Sequence, residues 1–318
     1  MITPDKIRVP NEKESLSLAI GIMIVLFVFI MGISIGVFII PLFLAVLYVK
    51  SMQGRLLGNS VKVTENQFPE IYDIVCLASK NLSMPIPDVF IHQSPVLQAF
   101  AMGIWGRKSV VLHSALVETM NYSELASIIG HEFTHIKCEH TSWGILANLH
   151  SSIPIPIISD ILSFIFNKWS RKAEYTSDRG GLIVNQNSNA SVYAIAKLAV
   201  GKELFEKLDL DVLKEQQVQI SHDDLSRLTE LLQTHPYLIN RIQEIIRYSR
   251  SSEYMNLTSD IEGYDPVIYE NTGSTNDTEP GFYQEEQQDF CFECGENLAT
   301  GDLICLNCGA IRNTDNES

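Results

Sequence analysis

The stretch Gly130-His131-Glu132-Phe133-Thr134-His135, inside the run 125–140, decides how this chain reads. Its two histidines stand four residues apart, so on a helix both imidazoles share one face and can reach a single cation. Glu132 directly follows the first of them, where a carboxylate overhangs a metal without ligating it and can take a proton from water. The helix has independent support. Asn121 followed three residues later by Glu124 is a capping-box pattern, and Leu125, Ile128, Ile129, Phe133 and Ile136 recur at helical spacing. The pattern predicts a helix that begins just after Asn121 and carries a zinc-binding face.

Catalytic zinc takes three protein ligands and keeps one position open, so a third ligand is sought downstream. A third histidine in the H-E-x-x-H-x-x-G-x-x-H register is absent: Cys138 fills the glycine place and Thr141 the histidine place. Glu139 and His140 lie close but on the same helix, off register. The run Arg171-Lys172-Ala173-Glu174-Tyr175-Thr176-Ser177-Asp178-Arg179 fits better. Its Glu174 and Asp178 are four residues apart and share a helix face, so Glu174 can ligate while Asp178 accepts the outer N–H of a ligating histidine.

With these residues in place, roughly residues 50–250 resemble the membrane-anchored M48 peptidases, typified by the heat-shock protease HtpX and the CAAX prenyl endopeptidases. The H-E-x-x-H helix, the Glu-x-x-x-Asp helix at Glu174 and Asp178, and His235-Pro236 with Arg241 after it carry the likeness. Gln98-Ala99-Phe100-Ala101 is similar to the family's Asn-Ala-Phe-Ala edge strand, with Gln98 in place of asparagine; Ser177 stands where alanine is usual. The resemblance implies a mainly helical α+β zincin-type domain with a small sheet. It implies zinc on His131, His135 and Glu174, Glu132 as general base, and His235 holding an oxyanion with Arg241 supporting it. It also implies that a peptide substrate adds to the strand holding Gln98, Ala99, Phe100 and Ala101. Prenylated substrates fit less well than protein or peptide substrates, because that branch surrounds its cleft with more spans than this chain can form.

The net charge is −15, and ten of those negative charges fall in 253–289, which has no lysine or arginine. No basic cluster offers a nucleic-acid face. Of six cysteines, Cys76 and Cys138 sit in apolar helical contexts and read as core thiols, while four form paired C-x-x-C units near the end.

Taken in order, residues 1–15 are a balanced polar tail, and 16–49 contain no charged residue. A single span needs about 20 residues, so this run predicts one transmembrane helix or, with Gly32, Gly36 and Pro41 near its middle, a hairpin. Lys50, Arg55 and Lys62 follow, which places the domain on the cytoplasmic side of the cell membrane. The domain over 50–250 opens with a helix before Pro85 and Pro87, then short strands near 89–92, 97–102 and 109–112. Residues 153–166 are apolar but too few to span, and read as a buried hairpin over the cleft or as a membrane-facing re-entrant or interfacial helix. Residues 191–200 predict a core helix, 202–232 a charged helical insertion, and Pro236 opens a last helix.

Residues 251–288 are acidic, polar and poor in apolar side chains, as a disordered linker is. Residues 289–313 hold Cys291, Cys294, Cys305 and Cys308 in two C-x-x-C-G knuckles, a zinc-ribbon pattern that closes a second, structural zinc. Two functions compete: a membrane-anchored zinc endopeptidase, and a non-catalytic zinc-bound membrane scaffold that recruits a protein partner through its ribbon. Glu132 separates them, since a scaffold needs no base beside its metal.

Overall fold

The computed structural model of the chain describes residues 2–31, 36–103, 108–149, 156–208, 229, 233, 235–259, 261, 289–290 and 297–298. Contacts divide the chain into two units, Met1–Leu208 with Thr229–Tyr269, and Asp209–Leu228 with Glu270–Ser318. In the first unit, α1 (Pro4–Ile7) and α2 (Glu12–Met31) lead to α3 (Gly36–Gly58), β1 (Val61–Lys62) and α4 (Pro69–Asn81). Next come β2 (Asp88–His92), β3 (Ala99–Met102) and β4 (Ser109–His113). After the short α5 (Ser114–Thr119), the helices are α6 (Tyr122–Lys137), α7 (His140–Leu149), α8 (Pro156–Asn185), α9 (Ser188–Val200) and α10 (Lys202–Phe205). Two more close the unit, α11 (Leu238–Ser249) and α12 (Ser252–Thr258).

The sheet has the order β1-β2-β4-β3, with β2 parallel to β4 and the other pairs antiparallel. Val110, Val111 and Leu112 of β4 are fully buried, as β-branched and aliphatic residues in a central strand should be. β3 is therefore left as an edge strand. The expected α+β architecture is met, with β1 as an extra strand.

α6 starts as its sequence predicts. Asn121 Oδ1 accepts from Glu124 N at 2.9 Å, while Glu124 Oε2 accepts from Asn121 N at 2.9 Å, so both orphan donors are satisfied. Leu125, Ile129 and Phe133 on one side of it are buried, each worth about 1.5–3 kcal/mol against exposure. The other side meets α8 at very short range. A Cβ on Gly130 would lie 2.8 Å from Val184 Cβ, and one on Gly180 would lie 2.7 Å from Thr134 Cβ. Only glycine lets the two backbones approach this closely, and that approach sets the histidines of α6 against the acids of α8.

The apolar N-terminal run forms α2 and α3, and residues 32–35 between them lie outside the described residues. Among the described residues no helix is long and apolar enough to cross a membrane, so the transmembrane helix or hairpin expected over 16–49 is not found. α2 begins on the charged Glu12, Lys13 and Glu14, and its Ala19 is buried with Leu162, Phe166, Trp169 and Ala173 of α8. Part of the apolar run thus serves the domain core. The polar tail expected over 1–15 is packed as well, with Ile7 and Val9 buried.

Two further expectations are corrected. Residues 156–166 are the first turns of α8 itself, continuous with the helix of Glu174, so they form no hairpin over the cleft; 153–155 lie outside the described residues. An uninterrupted apolar face from Leu162 to Ala173 explains why the helix does not break there. The linker expected from residue 251 begins with α12, whose Tyr254 is buried and stacks edge-on to Tyr248 at 5.3 Å. Ser251 caps this helix by accepting from Tyr254 N. Most of the insertion expected over 202–232 lies outside the described residues. In the second unit, β5 (Asp289–Phe290) pairs antiparallel with β6 (Asn297–Leu298); Cys291, Cys294, Cys305 and Cys308 lie outside the described residues.

Candidate metal centre

α6 and α8 bring three donors together. His131 Nε2 and His135 Nε2 are 3.0 Å apart; Glu174 Oε2 lies 3.7 Å from the first and Glu174 Oε1 3.5 Å from the second. Among the described residues this is the group able to hold a metal ion, each member offering one atom and all within 4.8 Å of one another. Two imidazoles and one carboxylate are the donor set of an open catalytic site rather than a closed structural one. Glu139 and His140 do not join it. Glu139, at φ 64°, turns the chain out of α6 and into α7, and its carboxylate pairs with Lys108.

Each donor is oriented from outside. His131 Nδ1 donates to Asp178 Oδ1 at 2.9 Å, which turns Nε2 inward. Asp178 is in turn clamped by Arg241, whose Nε and Nη2 donate to its two oxygens at 2.8 and 2.6 Å. Arg241 Nη1 also lies 3.8 Å from Glu174 Oε2. His235 sits at the cleft rim with its side chain 68% exposed, and its Nδ1 lies 3.3 Å from Glu174 Oε2. His135 Nδ1 faces His140 Nδ1 at 3.1 Å, and His140 Nε2 faces Glu12 Oε1 at 3.0 Å.

The electrostatics follow from burial and these partners. Burial holds the His135 ring well below its ordinary value, and His131 adds to the effect. Burial also lowers His131, but the hydrogen bond and charge of Asp178 more than reverse this and raise it. In Glu174, burial is outweighed by the His235 hydrogen bond and the charges of His135, His131 and Arg241, so the carboxyl stays well below the usual range. Glu132 goes the other way. Burial raises its carboxyl, with Glu174 adding and His131 opposing.

Glu132 is buried beside the donors, and the backbone N–H of Ala101 on β3 donates to its carboxylate. A cleft of about 420 Å³ opens over the group, lined by Gln98, Ala99, Phe100 and Ala101 on one side and by Ile195 and Leu198 of α9 on another. The edge strand thus borders the donors. Ser177 is fully buried, and among the described residues its hydroxyl has no hydrogen-bond partner. Cys138, the buried C-cap of α6, has its thiol pushed up to about 12 by desolvation.

Residues 65–249, more than half of the chain, match the profile of peptidase family M48. The chain belongs to peptidase family M48. A plastoglobule-localized metallopeptidase 48 of the chloroplast of Arabidopsis thaliana is 31% identical over 216 residues, which cover 63% of this chain and 63% of that protein. A protease HtpX homolog of Streptococcus uberis is 23% identical over 229 residues, 59% of this chain and 76% of the relative. Another, from Streptococcus pyogenes, is 36% identical over 106 residues, 31% of this chain and 36% of the relative. The match spans less than two thirds of the plant relative's length.

In the sequence His140 stands only as a rival ligand, and Glu12 is not marked at all. The polar mixture of residues 1–15 gave no signal for the latter, because nothing local to Glu12 indicates a site 119 residues or more away.

Proposed function

We propose that the protein is a zinc endopeptidase that cleaves extended segments of loosely folded proteins. The observation that carries this reading is Glu132, a buried carboxylate held beside three converging donors at the foot of an edge strand. A scaffold has no use for a base at that position. Zinc held by His131, His135 and Glu174 would supply a Lewis acid that polarises the scissile carbonyl and acidifies its water. Glu132 takes the proton of the attacking water and hands it to the leaving amine; its raised pKa suits both transfers. His235 donates from its ring to the oxygen on which charge develops. The substrate lies as an added strand along β3, beside Gln98, Ala99, Phe100 and Ala101.

The apolar surfaces of α2 and α3 attach the domain to a lipid membrane. Val25, Phe29 and Tyr48 are 69%, 79% and 69% exposed, more apolar area than a water-facing helix pair carries without a partner. Arg55, close by, suits the anionic headgroups of a cytoplasmic leaflet. Substrates would then be membrane-associated proteins, as in quality control. Cys291, Cys294, Cys305 and Cys308 close a second zinc, structural and without an open position, as a ribbon that meets a protein partner.

The deciding experiment is proteolysis of an unfolded protein by the purified full chain, abolished by chelation and restored by zinc, with the metal content measured alongside. Two zinc ions are expected, falling to one when the four ribbon cysteines are changed to serine. A chain that binds zinc through His131 and His135 and cuts nothing would favour the scaffold.

A further inference from the structure

His131 receives its outer hydrogen-bond partner from the neighbouring ligand helix. His135 meets His140, five residues on, and His140 in turn meets a group from the far N-terminal arm. For His135 to ligate through Nε2, the neutral ring must carry its proton on Nδ1, and that proton needs an acceptor. The atom in reach is His140 Nδ1, at 3.1 Å. His140 can accept there only if its own proton is on Nε2, and Glu12 Oε1 lies 3.0 Å from that nitrogen. A carboxylate cannot donate when ionised, so Glu12 fixes the direction of both bonds.

Glu12 is itself held. Arg8 Nε lies 2.9 Å from its Oε1, and the Thr176 hydroxyl of α8 donates to its Oε2. Glu12 and His140 are 2% and 5% exposed, so the relay is shielded from water, which would otherwise compete for each bond. The arm that brings Glu12 here is fastened along its length. Lys137 Nζ donates to Ile2 O at 2.6 Å, Arg8 Nη2 to Cys138 O at 2.5 Å, Val9 N to Thr176 Oγ1 at 3.1 Å, and Lys172 Nζ to Pro10 O at 3.2 Å. The two ligand histidines thus have matching supports. His131 rests on Asp178 and Arg241; His135 rests on His140, Glu12 and Arg8.

We propose that the N-terminal arm, residues 2–12, is part of the metal centre, and that Glu12 acts through His140 as a positioning pair that holds His135 in its zinc-ligating tautomer and orientation. The inference rests on the reading that His131, His135 and Glu174 hold zinc. A segment preceding the whole peptidase domain in sequence then sets the affinity of the site, and freeing the arm loosens the metal.

The test measures the zinc dissociation constant by chelator competition, and the melting temperature of the metal-free protein, in the full chain carrying Cys291→Ser, Cys294→Ser, Cys305→Ser and Cys308→Ser so that one site is counted. Glu12→Gln, which keeps shape and volume, weakens zinc binding about tenfold, and His140→Leu about 10–100-fold, as loss of outer partners does elsewhere. His140→Asn, whose amide oxygen can still accept from His135 Nδ1, recovers most of the affinity. Glu12→Gln adds no further loss in a chain that already carries His140→Leu, since its effect passes through that ring. Parental zinc affinity in Glu12→Gln overturns the proposal even if His140→Leu fails to fold. So does a loss of affinity from Glu12→Gln that persists undiminished without His140, which would mark a merely structural effect. If His131→Ala binds zinc as the parent does, the metal site itself has been misread, and that result overturns both readings together.

Discussion

His131 and Asp178 stand 47 residues apart in sequence and 2.9 Å apart in space, joined Nδ1 to Oδ1. The bond leaves His131 a single inward-facing nitrogen and ties this donor of α6 to the helix that carries Glu174. Asp178→Asn keeps an acceptor but removes the charge and can turn its amide N–H₂ toward His131. Zinc affinity should fall about 10–100-fold, read by chelator competition, with the metal-free fold retained.

Asp178 also links stability to pH. Burial raises its carboxyl, but Arg241, and then His131, bring it below its ordinary value. A carboxylate depressed on folding stabilises fully above its unfolded pKa and loses that contribution as pH falls through the folded one. The metal-free chain should therefore lose melting temperature as pH drops below about 4. Arg241→Met leaves Asp178 buried without its cation and should cost about 3–5 kcal/mol at neutral pH. It should also flatten the acid limb, because burial is then opposed by His131 without the larger contribution of Arg241.

Glu132→Gln should retain zinc and lose at least about 10²-fold in peptide cleavage, the usual contribution of a positioned base. Metal analysis and turnover on one preparation check it. Activity within a few-fold of the parent would remove Glu132 from the mechanism.

Glu174→Ala should empty the site at micromolar zinc, while His140→Ala still fills at saturating metal, only more weakly. The geometry behind this is the convergence of Glu174 with both Nε2 atoms, whereas His140 reaches the far nitrogen of His135. Metal counting on both variants, with the ribbon cysteines changed to serine, distinguishes ligand from support.

Gly180→Ala should destabilise the domain by about 1–3 kcal/mol, as overpacking does in a filled core. The new Cβ would lie 2.7 Å from Thr134 Cβ, and Thr134 cannot easily turn away because its hydroxyl donates to Gly130 O at 2.8 Å. Denaturant melts measure the loss. Zinc affinity should fall too, since relieving the clash moves α8 and Glu174 away from the histidines.

What was legible in the sequence was what depends on short separations. The i, i+4 placement of His131 and His135, the capping box of Asn121 and Glu124, and the shared face of Glu174 and Asp178 all follow from the 3.6-residue period. The structure reproduces each of them. The strands near 89–112 were legible as short β-branched and aromatic runs between Pro and Gly turn signals. An apolar run reads less surely, because composition does not say which side of a helix meets lipid and which meets protein. Ala19 and its neighbours on α2 turned out to face α8.

Only the tertiary structure could decide that Arg241 clamps Asp178 and that Glu12 reaches His140. These contacts depend on how closely α6 and α8 cross at Gly130 and Gly180 and on where the N-terminal arm lies once that crossing is made. Local periodicity fixes which residues share a face. It carries no information about what that face will meet, which is set by long-range packing.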